Sequence, residues 1–474
     1  MHASNHAPDT HHTHDARDAR HRQSPDLVTR RDFLRIGAVT AGGLALSPFL
    51  RLRATTAAPG AGAGASARAV IQLFLSGGPS HIDTFDPKPQ APAEITGPWR
   101  KAIPTNVSGI EINELLPLCA KHADKYTILR GLSHGTDGHE TASYMMQTGT
   151  MPGSLVYPTM GAVIAYKMDE AGMLKGRSLP PYITVPTAIG RISETGFLGP
   201  KYRSFSPGSL DKPIAPAARQ RLEKRTALLE NLDTLGLSQH DLFAEADAFR
   251  DQAREMVLGK SRAAFDISRE NAQTRALYGD TGFGRSCLLA RRLVEHGVPY
   301  ITVKMEGWDT HRDQADKYKR LMPALDKGFS ALLADLAERG LLATTIVTCG
   351  GEFGRTPRFM TESPWYGGRG HYGSAFSWAV AGGGFRGGQV VGQTDARGER
   401  VIKRGIAPWD LSASIYKLLG IDPDGTLPHP LGCAAYVTPR QAQAETTAAA
   451  STKKAKRTSR MTPGEGMLKE IMPA

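Results

Sequence analysis

Four loops of this chain carry residue types that bind divalent cations or move protons. Ser76-Gly77-Gly78-Pro79-Ser80-His81-Ile82-Asp83 offers an imidazole and a carboxylate among glycines, and Glu306-Gly307-Trp308-Asp309-Thr310-His311 repeats the pair. Gly350-Gly351-Glu352-Phe353-Gly354-Arg355-Thr356-Pro357 adds Glu352 and Arg355, and Gly367-Gly368-Arg369-Gly370-His371 adds a further histidine. Imidazole nitrogens and carboxylate oxygens are ligands of zinc, magnesium, manganese or calcium. A single such loop says little, because His and Asp also serve turns and caps. Four in one chain point to one shared centre. Arg355 has the planar fork that clamps substrate oxygens, with a structural ion pair as the competing role. His134 and Asp137 fit a polar turn before a helix, Trp308 fits packing, and Gly382-Gly383-Gly384 fits a tight turn lacking the phosphate-loop lysine.

Such loops need a frame that delivers them to one place. Short apolar runs at Ala69 to Leu75, Tyr126 to Leu129, Tyr182 to Val185, Tyr300 to Val303, Thr345 to Cys349 and Phe376 to Ala381 read as buried strands. Helical patterns separate them at Leu115 to Lys125, Ala142 to Gln147, Ala217 to His296, Tyr318 to Arg339 and Leu411 to Leu419. This alternation predicts an α/β fold, a doubly wound, mostly parallel sheet flanked by helices. Ligands of such sheets bind beyond the carboxyl ends of the strands, where these polar loops begin. The charged stretch from Ala217 to Ala276 is expected as a helical insertion, and Gly387 to Ile402 as a small hairpin.

At 474 residues, 40% hydrophobic and 22% charged, the chain is neither wholly disordered nor a multi-span membrane protein. The net charge of +12 is divided among the ends and the middle: residues 1–68 hold nine Lys/Arg against five Asp/Glu, and residues 440–474 hold seven against three. The remaining +4 is too thin to track a phosphate backbone, so no nucleic-acid partner is expected. Thr29-Arg30-Arg31-Asp32-Phe33-Leu34-Arg35 precedes an apolar stretch from Ile36 to Leu50, which is too short to span a bilayer. This resembles a twin-arginine export signal and implies the export machinery as a partner, a periplasmic or secreted location and no stable membrane span. The expected divisions are a leader over 1–68, one catalytic-type domain over 69–439, and a disordered basic tail over 440–474. The four cysteines, Cys119, Cys287, Cys349 and Cys433, have no paired metal-binding spacing and read as buried thiols.

Leu75-Ser76-Gly77-Gly78-Pro79-Ser80-His81-Ile82-Asp83-Thr84-Phe85-Asp86-Pro87-Lys88-Pro89, Gly307-Trp308-Asp309-Thr310-His311, Gly351-Glu352-Phe353-Gly354-Arg355-Thr356-Pro357 and Ala381-Gly382-Gly383-Gly384-Phe385-Arg386-Gly387-Gly388 together resemble the exported bacterial proteins grouped as domain of unknown function 1501. The resemblance covers roughly residues 69 to 435 and implies the alkaline phosphatase and sulfatase superfamily fold, with a metal centre at the strand ends. It makes Asp83, Asp309, His311, Glu352 and His371 the expected ligands. Two departures stand out: Gly370 where close relatives have aspartate, and Glu-Phe-Gly-Arg near Glu352 in place of an Asp-His pair. The superfamily also sets a Ser, Thr or modified Cys at a helix start nine residues before a Thr-Gly dipeptide. Here Thr148-Gly149 fits the dipeptide, and the counted position is His139. Three roles are open: His139 as ligand with Thr141 or Ser143 as nucleophile, His139 as the attacking group, or attack by metal-activated water. The expected function is metal-dependent hydrolysis of phosphate or sulfate esters, small-molecule or glycan. The alternative is a non-catalytic anion- or glycan-binding protein retaining the fold.

Overall fold

A computed structural model describes residues 65–187, 194–208, 210, 214–232, 241–432, 434–439 and 461–473, with backbone alone over 229–232 and 241–249. Residues 1–64 of the expected export leader and residues 440–460 lie outside these. A seven-stranded sheet forms the centre. Its strands are β1 (Ala69–Leu75), β2 (Tyr126–Leu132), β3 (Tyr182–Val185), β4 (Tyr300–Met305), β5 (Thr345–Gly350), β6 (Phe376–Ala381) and β7 (Gln389–Val391), in the spatial order β7-β2-β6-β5-β1-β4-β3. β1 pairs in parallel with β4 and β5, β4 with β3, and β2 with β7; β6 runs antiparallel to both β5 and β2.

β1 explains why the sheet is covered twice. All seven of its residues are buried, and alternate side chains face opposite ways: Ile71, Leu73 and Leu75 join one apolar cluster, Val70 and Phe74 another. The first cluster draws in Leu288 and Leu293 of α5 (Gly282–Glu295) and Tyr318, Leu325 and Leu332 of α6 (Gln314–Glu338). The second takes Met146 of α1 (His139–Thr148), Met160, Val163 and Ile164 of α2 (Met160–Glu170), and Leu411 and Ile415 of α7 (Pro408–Leu418). Helices therefore pack on both faces, as the alternation of elements predicts. The expected insertion contains α3 (Pro216–Leu232) and α4 (Asp241–Leu258). No described helix is long and apolar enough to cross a membrane.

Three expectations need correction. Leu115 to Lys125 is not one helix but a single turn at Pro117–Ala120 followed by a 3-10 turn at Ala123–Lys125. The Gly387 to Ile402 hairpin is divided: Gln389–Val391 is the sheet's edge strand, whereas Gln393–Thr394 pairs with Val401–Lys403. The tail is not disordered throughout, because residues 461–473 return to the core. Leu468, Ile471 and Met472 are buried in the second cluster, Leu468 N–H donates to Ser414 Oγ at 2.9 Å, and Arg404 Nε meets Glu470 Oε1 at 2.7 Å.

Candidate metal centre

The carboxyl ends of the parallel strands release the polar loops along one edge. Asp309 and His311 follow β4, Glu352 and Phe353 follow β5, and His134 and His139 follow β2. His371 precedes β6, and because β6 runs the other way its entry lies on the same edge. A two-residue ribbon, Gly354–Arg355 against His371–Tyr372, sets Arg355 opposite His371. Gly77, at φ +114°, lets the β1 loop lie against the Trp308–Asp309 backbone; a Cβ there would run into Asp309 N.

Three of the loop residues converge. One ligand atom each from His139, Asp309 and His371 lies within 4.8 Å of the others, a grouping that could hold a metal ion. Asp309 Oδ1 is 3.1 Å from His371 Nε2 and 3.0 Å from His311 Nε2, and its Oδ2 is 3.5 Å from His139 Nε2. His311 Nε2 also lies 2.8 Å from His371 Nε2. The cluster opens to solvent, with the Asp309 side chain 47% and that of His139 38% exposed.

Hydrogen bonds on the far side of each ring decide which nitrogen faces the cluster. His371 Nδ1 is 2.7 Å from the Asp137 carbonyl, which can only accept, so Nδ1 carries a proton and, in the neutral ring, Nε2 is the nitrogen left to face the cluster. His139 Nδ1 is 2.7 Å from Glu352 Oε1, and the same reasoning leaves its Nε2 facing inward. With both rings neutral, two imidazole lone pairs and a carboxylate would point at one small space, a donor set that suits a divalent cation.

The electrostatics favour an ionised Asp309 but a protonated His139, so a bound cation would have to displace the His139 proton. Partial burial opposes ionisation of Asp309, but the hydrogen bond and charge of Arg355, helped by His371 and His311, outweigh it and hold the carboxyl well below its usual range. The Glu352 hydrogen bond raises the His139 pKa against partial burial, and the charges of Glu352 and Asp309 add to it. Burial lowers the His311 pKa, only partly offset by Asp309.

Several expected roles change. Asp83 is not at the cluster: it is fully buried, its two oxygens are 2.9 and 3.1 Å from Nε and Nη2 of Arg369, and Gln314 donates to Oδ2 at 2.7 Å. That paired, saturated carboxylate ties the β1 loop to the His371 loop. Glu352 lies behind the cluster, accepting from Gly77 N–H at 2.9 and 3.1 Å as well as holding His139. Arg355 is not free to clamp a substrate. Fully buried, it donates to the carbonyls of Gly77, Gly78, Trp308 and Arg369 and to Asp309 Oδ1 at 2.7 Å. Thr141 is two residues beyond His139 on α1, a spacing that puts the two side chains on different faces, whereas Ser143, four residues on, shares the face of His139.

Arg369 and Phe353 carry roles that no local pattern announces. Arg369 neutralises Asp83 from 286 residues away. Phe353 stacks on His371 at 4.6 Å between ring centroids and lies 4.9 Å from His139, walling one side of the cluster. His134, expected in a turn, is buried; its Nε2 reaches the Glu352 carbonyl at 2.6 Å and its Nδ1 faces Thr136 N–H at 3.3 Å.

Comparison with known proteins adds the following. Among solved structures the chain is similar to Ps i-CgsB, at 11% identity over 75% of this chain and 72% of that one, with a TM-score of 0.35. It is similar to the lipoteichoic acid synthase LtaP from Listeria monocytogenes at 9% identity over 86% and 80%, with a TM-score of 0.32. No curated protein matches it. The model of the family described as protein of unknown function (DUF1501) matches residues 67–445, most of the chain and every loop of the cluster, and the chain belongs to that family.

Proposed function

We propose that this chain is an exported, metal-dependent hydrolase of phosphate or sulfate esters. The observation that carries the reading is the meeting of His139, Asp309 and His371 within 4.8 Å, with His311 beside them. These residues would hold the cation, which when bound supplies Lewis-acid polarisation of an ester oxygen and a more acidic water. Arg355 keeps Asp309 ionised, Glu352 and the Asp137 carbonyl fix the two imidazole tautomers, and Phe353 excludes water from one flank. α1 begins at His139 with no side-chain cap, so the amides and dipole of its first turn favour an anionic ester beside the cluster.

Elemental analysis of the purified mature protein tests the site. A stoichiometric divalent metal is expected, lost on combining Asp309→Ala with His371→Ala; metal-free, well-folded wild-type protein rejects it. Turnover is tested on a panel of aryl phosphates and sulfates with and without chelator.

A second reading, an anion-binding protein that keeps the fold without turnover, draws on two observations: an imidazole at the helix start and an Arg355 with each of its three nitrogens engaged inside the protein. Full metal occupancy with persistent inactivity across the panel selects it.

A further inference from the structure

The loop between Arg355 and His371 rises into a small arm. Its base is a bridge between Met360 and Gly368, with Met360 N–H donating to Gly368 O at 2.9 Å and Gly367 N–H to Met360 O at 2.8 Å. The arm is fastened to the cluster: Gln314 N–H donates to Gly367 O at 2.9 Å, and a Cβ on Gly368 would run into the His311 carbonyl. Near its tip, Trp365 leans on His311, ring centroids 5.0 Å apart and planes 32° apart. Tyr366 follows, 60% exposed and with φ +41°, a left-handed conformation that a bulky residue adopts only under strain. Such strain at an exposed aromatic beside a reactive cluster calls for a functional explanation, because glycine would serve the turn better.

We propose that Trp365 and Tyr366 form a stacking lip for a sugar ring, so that the esters bound at the cluster are sulfated or phosphorylated glycans. The inference rests on the anion-binding centre described above and names the class of molecule that carries the anion. A pyranose has an apolar face for an aromatic ring and hydroxyls around its rim. The arm supplies both kinds of contact: beside the aromatics stand exposed Thr361, Glu362 and Ser363, with Arg358 Nη2 and Glu362 Oε1 paired at 2.9 Å in solvent. A lipid chain would want a continuous aliphatic surface, and this arm is polar around its aromatics.

The test is binding by calorimetry to the full-length mature protein loaded with its divalent metal. The probes are inorganic sulfate, inorganic phosphate, and 4- and 6-O-sulfated and phosphorylated hexoses, hexosamines and their disaccharides. At least one sugar ester is expected to bind about tenfold more tightly than its free anion. Tyr366→Gly should abolish that advantage while leaving the free-anion affinity, the metal content and a melting temperature no lower than wild type; Trp365→Ala should reduce it in parallel. Sugar esters that bind no better than the free anions overturn the lip, as does a Tyr366→Gly protein that keeps the preference. Free anions that fail to bind while sugar esters do would leave the lip standing and overturn the anion centre, and failure of both overturns both.

Discussion

Glu352 serves two neighbours at once, receiving the Gly77 amide and the His139 ring proton from a position almost closed to solvent. Replacing it with Gln removes the charge while keeping an oxygen acceptor. Glu352→Gln should therefore move the His139 pKa downward toward its ordinary value, read by NMR titration of the metal-free protein. Buried His134 sets a second pH dependence. Burial pushes its pKa down to about 4, below the ordinary 6.5, so below neutrality the unfolded chain takes up a proton that the folded chain refuses. Its contribution to stability is complete above pH 6.5 and falls as pH drops toward 4. Denaturant unfolding should show a loss of about 2 kcal/mol between pH 7 and pH 5 from this residue, smaller in His134→Gln. At this scale, types and spacing single out Asp309, His311 and His371, and His139 enters through the family resemblance alone. They mislead for Asp83, whose Asp-in-a-loop pattern is the same for a ligand and for an ion-pair partner. Only the arrival of Arg369, 286 residues later, separates the two.

Elements explain why distant residues meet. β6 enters the sheet antiparallel, so the His371 loop joins those leaving β1, β4 and β5. Apolar runs locate β1, β3 and β6 to the residue. They stop early for β2, β4 and β5, where Arg130, Lys304 and Gly350 interrupt the apolar pattern yet remain within the strands. α2 has no clear signature in sequence, because Met160 to Ala165 are buried on every side and show no polar face to create a 3.6-residue period. Loop contact is as demanding as strand order. Gly77→Ala would place a methyl group against the Asp309 backbone at a φ that L-residues avoid. We expect it to destabilise the protein by about 2–4 kcal/mol in chemical denaturation and to release bound metal, because Asp309 must move.

Across the whole molecule, each end of the chain carries its own prediction. Arg30→Lys with Arg31→Lys should retain the protein in the cytoplasm on cell fractionation if the leader works as proposed; a protein exported as before would refute twin-arginine transport. At the other end, Leu468, Ile471 and Met472 complete the apolar cluster beneath α7. Truncation after residue 439 should lower stability on the order of 4 kcal/mol and increase binding of a hydrophobic dye. Composition makes the tail look like one solvated extension, because its Ala, Thr and Lys content hides a short apolar segment beyond residue 460. Thr462 N–H reaches Ser133 Oγ at 3.0 Å, one residue before His134, so the returning segment touches the strand end that leads into the cluster. During synthesis that cover is missing: a nascent chain leaves a bare apolar trough beside the strand end at Ser133 until residues 461–473 clear the ribosome, and a product cut short by a premature stop would present that trough to chaperones and proteases.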